Sequence, residues 1–161
     1  MALDCPHIWV QLKTPLGPLS IGWGAHGLAR ILLNEAHSEA GHPDSRFRKF
    51  LTQIEAYLSG RKVDFKVPFD LSEHTPFRQE VLRACAKIPY GHTTTYGNLA
   101  YEIGRPNAAR AVGQTMAHNT LPIVIPCHRV LSANGLGGFM QDCRGGLDWK
   151  RYLLRLEGLS F

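Results

Sequence analysis

At Thr75 the chain changes its hydrophobic period, and that switch constrains its fold more than any other feature. Before it, short apolar runs broken by turn residues read mostly as strands, with a single helical stretch among them. After it, apolar residues recur at intervals of three and four, the spacing of one face of a helix. The pattern describes an α+β chain in which a small N-terminal α/β subdomain precedes a mainly helical one, and it places the boundary between residues 1–72 and 73–161.

In the first part, Ile8 to Leu12, Leu19 to Trp23 and Leu28 to Leu33 read as the strands of a meander. The turns fall at Thr14-Pro15-Leu16-Gly17-Pro18 and at Gly24 to Gly27. Polar residues 34 to 44, with Gly41 and Pro43, read as a surface loop. Phe47, Phe50, Leu51, Ile54 and Leu58 then mark one face of a helix, capped by Asp44 or Ser45 and stopped by Gly60. Val63, Phe65, Val67 and Phe69 alternate, which predicts a half-buried strand, and Pro68 puts it at an edge. No chemistry is visible here, so this part reads as structural.

In the second part, Thr75 caps a helix with Pro76 at its first position and a stripe of Phe77, Val81, Leu82, Cys85 and Ile88. Cys85 lies on that stripe and reads as core. A further helix starts near Thr95 and carries Tyr96, Leu99, Ala100 and Ile103 on one face, with Gly104 as its stop. Another should run from Pro106 to about His118. Two short helices joined through Gly104 and Arg105 have the form of a helix-turn-helix, a form also common in proteins that never touch DNA.

The run Ile125-Pro126-Cys127-His128-Arg129-Val130 follows the apolar, strand-like stretch Leu121 to Ile125 and sets a thiol beside an imidazole and a guanidinium. A free thiol titrates near pH ~8.5, and a neighbouring imidazole or cation is the usual means of lowering that value. Taken alone, a cysteine-histidine pair is as well explained by a buried structural cysteine. Near the C-terminus, Trp149, Leu153 and Glu157 fall four residues apart, so Glu157 lies on the apolar face of a last helix at its negative end. A carboxylate so placed needs a partner, and a histidine suits it.

Composition narrows the class. With 161 residues, 44% hydrophobic and 19% charged, the chain can bury a core and is not globally disordered. No apolar run approaches the ~18 residues of a membrane span, and no signal-peptide pattern opens the chain, so a cytoplasmic protein is expected. The four scattered cysteines, Cys5, Cys85, Cys127 and Cys143, contain no Cys-x-x-Cys pair and suit free thiols in a reducing compartment. No zinc spacing is present, although Cys5 and His7 could contribute to an opportunistic site. A net charge of +5 and a pI near 9.2 are compatible with a polyanionic partner without requiring one.

The hexamer at Cys127 resembles the active-site signature of the O6-alkylguanine-DNA alkyltransferases. The likeness extends through Thr75-Pro76-Phe77, Ile88-Pro89-Tyr90-Gly91, Thr95-Tyr96-Gly97 and Arg105-Pro106-Asn107-Ala108-Ala109-Arg110-Ala111-Val112-Gly113 to the tail Leu153-Leu154-Arg155-Leu156-Glu157-Gly158. The resemblance implies direct reversal of O6-alkylguanine damage in double-stranded DNA, by irreversible transfer of the alkyl group to Cys127. Such a protein acts once, as a monomer, with no metal or organic cofactor. By the same resemblance His128 activates Cys127 through a water, Glu157 orients His128, and Asn119 braces the connection between recognition helix and active-site strand. Asn119 also suits a left-handed helix end.

The resemblance further implies that Arg110 enters the base stack in place of the flipped guanine, with Ala108, Ala109 and Gly113 keeping the helix slim against the minor groove. Flipping is required because a stacked O6 group cannot reach a buried thiol. Tyr96 would contact the extruded nucleotide. Met116, Pro122, Val130 and Phe139 would line the base pocket, though on their own the first three read equally as core. The chain departs from the family after the signature: Gly137-Gly138-Phe139 is followed by Met140 to Arg144 before Gly145-Gly146, a longer loop with phenylalanine where tyrosine is usual. A DNA-binding protein of the same fold without transfer activity would keep Tyr96 and Arg110 but have no use for Cys127.

Overall fold

The computed structural model describes residues 5–140 and 145–161. Two compact units make up the chain, Met1–Glu73 and His74–Phe161.

In the first unit, β1 (Ile8–Thr14), β2 (Gly17–Gly24) and β3 (Gly27–Leu33) form an antiparallel sheet in the order β1-β2-β3. Gly17 turns the first hairpin at φ +115, where a Cβ would collide with the side chain of Asn34. Helix α1 (Ser45–Leu58) is capped by Asp44, whose carboxylate accepts from Phe47 N, and it buries Phe47, Phe50, Ile54 and Tyr57. Trp23 stacks on Phe47 with centroids 4.9 Å apart, joining helix to sheet.

The strand expected over residues 63–69 does not form. Its side chains alternate between half-buried and exposed, as the sequence suggested, but only Phe69 makes a bridge, to Leu28. Pro68 has no N–H to give a ladder, and its carbonyl accepts from Leu28 N instead.

The second unit contains α2 (Pro76–Ala86), α3 (Tyr96–Glu102), α4 (Ala109–Ala117) and α5 (Gly146–Leu156). Thr75 and Thr95 cap α2 and α3 through their hydroxyls. Gly104, at φ +72, ends α3, with Arg105 N bonded back to Ala100 O. A turn closed by Ala108 N on Arg105 O occupies the next residues. Helix α4 therefore begins at Ala109, three residues later than the sequence suggested.

A two-residue parallel pair, β4 (Thr94–Thr95) with β5 (Val130–Leu131), fastens the entry to the helix-turn-helix to the residues after Cys127. The apolar stretch 121–125 is not strand-like but a buried turn, closed by Ile125 N on Leu121 O. Ile123 takes φ +76, which for a β-branched residue costs about 1–3 kcal/mol. The left-handed position falls there and not at Asn119.

Candidate active site

Cys127 opens a 3₁₀ turn, Cys127–Arg129, that leads from the buried turn into β5. Its side chain is 2% exposed. Asn119 organises the approach: its Oδ1 accepts from Leu121 N at 3.0 Å, while its Nδ2 donates to Ile125 O at 2.8 Å and to Cys127 Sγ at 3.2 Å. The amide thus ties the end of α4 to the thiol directly.

Beneath the thiol lies a fully enclosed ionic network. Glu157, just past the end of α5, accepts from His128 Nε2 at 2.7 Å and Arg129 Nη2 at 2.9 Å through Oε1. Its Oε2 accepts from Arg129 Nε and Gly91 N, both at 3.0 Å. The Ile88-Pro89-Tyr90-Gly91 segment is the socket for this network. Ile88 O takes Arg129 Nη1, the Tyr90 hydroxyl donates to Leu156 O at 2.8 Å, and the Tyr90 ring lies 6.0 Å from the guanidinium. Tyr90 and Gly91 were visible in the sequence only as motif members, with no role attached.

A carboxylate only accepts, so Nε2 of His128 carries a proton and Nδ1 of the neutral ring is the basic nitrogen. Burial depresses the His128 pKa, with Glu157 opposing, and keeps the ring neutral. Arg129 does not serve the thiol: its charge is spent on Glu157. Burial pushes the Cys127 thiol up to about 11, against the pull of the Asn119 amide and the Lys150 charge. The resting group is a protonated thiol beside a neutral base, not the preformed anion that its neighbours in sequence suggested.

Above the thiol opens a cleft of about 440 Å³ whose lining includes Tyr96, Arg110, Gly113, Met116, Cys127 and Phe139. Ala109 also lines it, Ala108 is half-buried just before α4, and Arg110 is exposed. Pro122, in the turn, and Val130, in β5, are buried and are not among the residues that line this cleft. The Tyr96 hydroxyl donates to Gly138 O at 3.2 Å, and burial raises its pKa to about 12, so it stays a donor. Gly137, at φ +73, lets the loop pass, because a Cβ there would lie 3.1 Å from the Tyr96 ring. Residues 141–144 of the altered loop, Cys143 among them, lie outside the described residues.

One buried group was missed altogether. Lys150 is 0% exposed, and its ammonium donates to Val130 O at 2.7 Å and Gly138 O at 2.9 Å. The signal was present, since Lys150, Leu153, Leu154 and Glu157 fall at the spacing of one helical face. Cys85 is core, as expected. Among the described residues no group of three or more His, Cys, Asp or Glu is arranged to hold a metal.

Gly113 separates packing from function. A Cβ there would meet only Tyr96 Cδ1 at 3.9 Å and would otherwise project into the cleft. Gly113→Ala should therefore raise stability by up to about 1 kcal/mol, the helix-propensity gain, while slowing transfer from duplex DNA. Thermal melting and single-turnover kinetics on the two proteins check both halves.

Fold and site together define a two-unit protein that sets a buried thiol, with a histidine-carboxylate pair, below a cleft edged by a helix-turn-helix. Comparisons with known proteins identify the class further. Residues 76–159 match the family model of the 6-O-methylguanine DNA methyltransferase DNA-binding domain, and residues 8–71 match that of its ribonuclease-like domain. A methylated-DNA–protein-cysteine methyltransferase of Methanosarcina acetivorans is 39% identical over 91% of this chain and 95% of its own. The crystal structure of the Mycobacterium tuberculosis O6-methylguanine methyltransferase superposes with a TM-score of 0.80 at 38% identity, covering 93% of this chain and 92% of that one. A structure of the same organism's protein in complex with DNA gives 0.76 at 38% identity over 92% and 91%. The chain belongs to the 6-O-methylguanine DNA methyltransferase family.

Proposed function

We propose that this chain repairs DNA by direct reversal, taking the alkyl group of O6-alkylguanine onto Cys127 and keeping it. The observation that carries the proposal is the position of Cys127. It is both a wall of the cleft and the neighbour of the buried His128–Glu157 pair. A sulfur–carbon bond forms as the carbon–O6 bond breaks. The thiol proton leaves toward His128, the base whose Nε2–H is held by Glu157, and the purine anion takes a proton to become guanine. Tyr96 keeps its proton and can donate a hydrogen bond to the leaving purine at the cleft edge. The proton that His128 takes from the thiol returns through solvent to the purine, so the step balances. No group among the described residues of the site can cleave the resulting thioether, so each molecule acts once.

His74–Phe161 is the DNA-binding and alkyl-acceptor unit in this account, and Met1–Glu73 is structural. Arg110, exposed at the mouth of the cleft on α4, fills the gap left when the damaged base is extruded. Ala108, Ala109 and Gly113 keep that face slim. Phe139 stacks on the base, and Met116 forms the pocket floor. The protein acts as a monomer on double-stranded DNA in this account. No helix among the described residues is long and apolar enough to cross a membrane, and Cys5, Cys85 and Cys127 are free, which together support a cytoplasmic protein.

Arg110→Ala tests the extrusion step. Transfer from duplex DNA should slow by at least about tenfold, as expected if the residue compensates a few kcal/mol of lost stacking. Transfer from a free O6-alkylguanine base should stay at the parental rate. Single-turnover rates on the two substrates decide it, and equal losses on both would reject the role.

A further inference from the structure

The charges of the site do not balance at rest. Arg129 and Glu157 neutralise one another, and His128 is uncharged. Lys150 is wholly buried and bonded to two carbonyls, and among the described residues it makes no ion pair with a carboxylate. An enclosed ammonium with no counter-charge is costly. A position on α5 whose helical neighbours are Leu153 and Leu154 would hold leucine or methionine more cheaply, unless an anion forms nearby.

We propose that Lys150 is a positioning residue for alkyl transfer: the buried cation that faces the Cys127 thiolate as it forms, and the tether that holds the cleft wall at Gly138 to β5. The proposal rests on Cys127 being the alkyl acceptor. The titratable groups around the ammonium are Cys127 and His128 from the 3₁₀ turn, Cys85 from α2 and Tyr96 from α3. Only Cys127 is both a thiol and a wall of the cleft. Burial raises the pKa of all three acids, Cys85, Cys127 (to about 11) and Tyr96 (to about 12), and Cys127 is the one whose sulfur opens onto the substrate cleft.

The tether is geometric. Lys150 Nζ and the Tyr96 hydroxyl donate to the same Gly138 carbonyl, and the Lys150 ammonium lies 5.8 Å from the Tyr96 ring centre. Through its second bond, to Val130 O, the same ammonium reaches the strand that follows the acceptor turn. One charge therefore links the acceptor segment, the cleft wall beside Phe139 and the tyrosine at its edge. Burial lowers the Lys150 pKa to about 8, whereas a Cys127 anion raises it, so the two groups favour each other's charged forms.

The test is the pH dependence of Cys127 alkylation by iodoacetamide, read on the Cys127 peptide by mass spectrometry, in the parent, Lys150→Met and Lys150→Arg. At pH 7, where Lys150 carries its charge, the methionine variant should react at least about tenfold more slowly. The gap should close above about pH 8 as the parent's Lys150 loses its proton, and the arginine variant should stay near the parent. A folded methionine variant with the parental rate at pH 7 would overturn the proposal. Should that variant not fold, the unaltered protein decides. Carbon-13 NMR of the lysine ε-carbons should show Lys150 still charged at neutral pH, where O6-methylguanine DNA methylates Cys127. A Lys150 already neutral at that pH counts against the proposal. Failure of the DNA to methylate Cys127 counts instead against the acceptor assignment, and the iodoacetamide profiles then decide the role of Lys150.

Discussion

Cys127→Ser is expected to reduce alkyl transfer by at least about 10⁴-fold, the scale on which an enzyme loses its nucleophile, with duplex binding at the parental level. Sulfur and oxygen are close in size at a site that is 2% exposed, and the Asn119 amide that donates to Sγ can donate equally to a hydroxyl. The fold therefore has no reason to change. The chemistry does, because a serine hydroxyl is a far weaker acid and a harder, less reactive nucleophile than a thiol. Single-turnover assays and titration onto methylated duplex separate the two effects. Full activity in the serine variant would remove Cys127 from the mechanism.

Glu157→Gln carries the second large effect, and it falls first on stability. By size alone glutamine is an isosteric replacement that should leave α5 and its packing in place. The network says otherwise. Both carboxylate oxygens accept from two or more donors, so whichever way the amide turns, its NH₂ meets the N–H groups of Arg129 together with Gly91 or His128. Arg129 is left as a buried charge without its anion. Removing one partner of such a pair costs about 3–5 kcal/mol, which lowers Tm by about 10 °C or more in a chain of this size. Calorimetry of the two proteins measures it. A melting curve within a degree or two of the parent would mean that the carboxylate is solvated and that His128 is held by something else.

Glu157 also shows how much of the site is legible in the sequence. Its four-residue spacing from Trp149 and Leu153 put a carboxylate on an apolar face at the wrong end of a helix dipole, and that conflict located its burial. The cap at Thr75, a cap at Asp44 or Ser45, a helix start near Thr95 and the stop at Gly104 were equally legible, because each is a local event decided by a few adjacent residues. The failures that matter to the site are non-local. Arg129 was assigned to the thiol because it is near in sequence, whereas its partner lies 28 residues away. Lys150 shares a helical face with Leu153, Leu154 and Glu157, but the carbonyls that hold its ammonium, Val130 and Gly138, come from segments 20 and 12 residues away. The strand over 63–69 and the strand-like 121–125 have the right hydrophobicity. Pairing depends on a neighbour that periodicity cannot report, and one segment has almost none while the other curls into a turn.

The central claim is that this chain accepts the alkyl group itself, once, on Cys127, and the direct measurement is its mass. Intact-protein mass spectrometry after incubation with excess duplex containing O6-methylguanine should show a single added methyl group, saturating at one per molecule, with peptide mapping placing it on the Cys127 peptide and the duplex left with guanine. Turnover beyond one equivalent, repaired DNA with no gain in protein mass, or a methyl group found on Cys5, Cys85 or Cys143 would contradict the account.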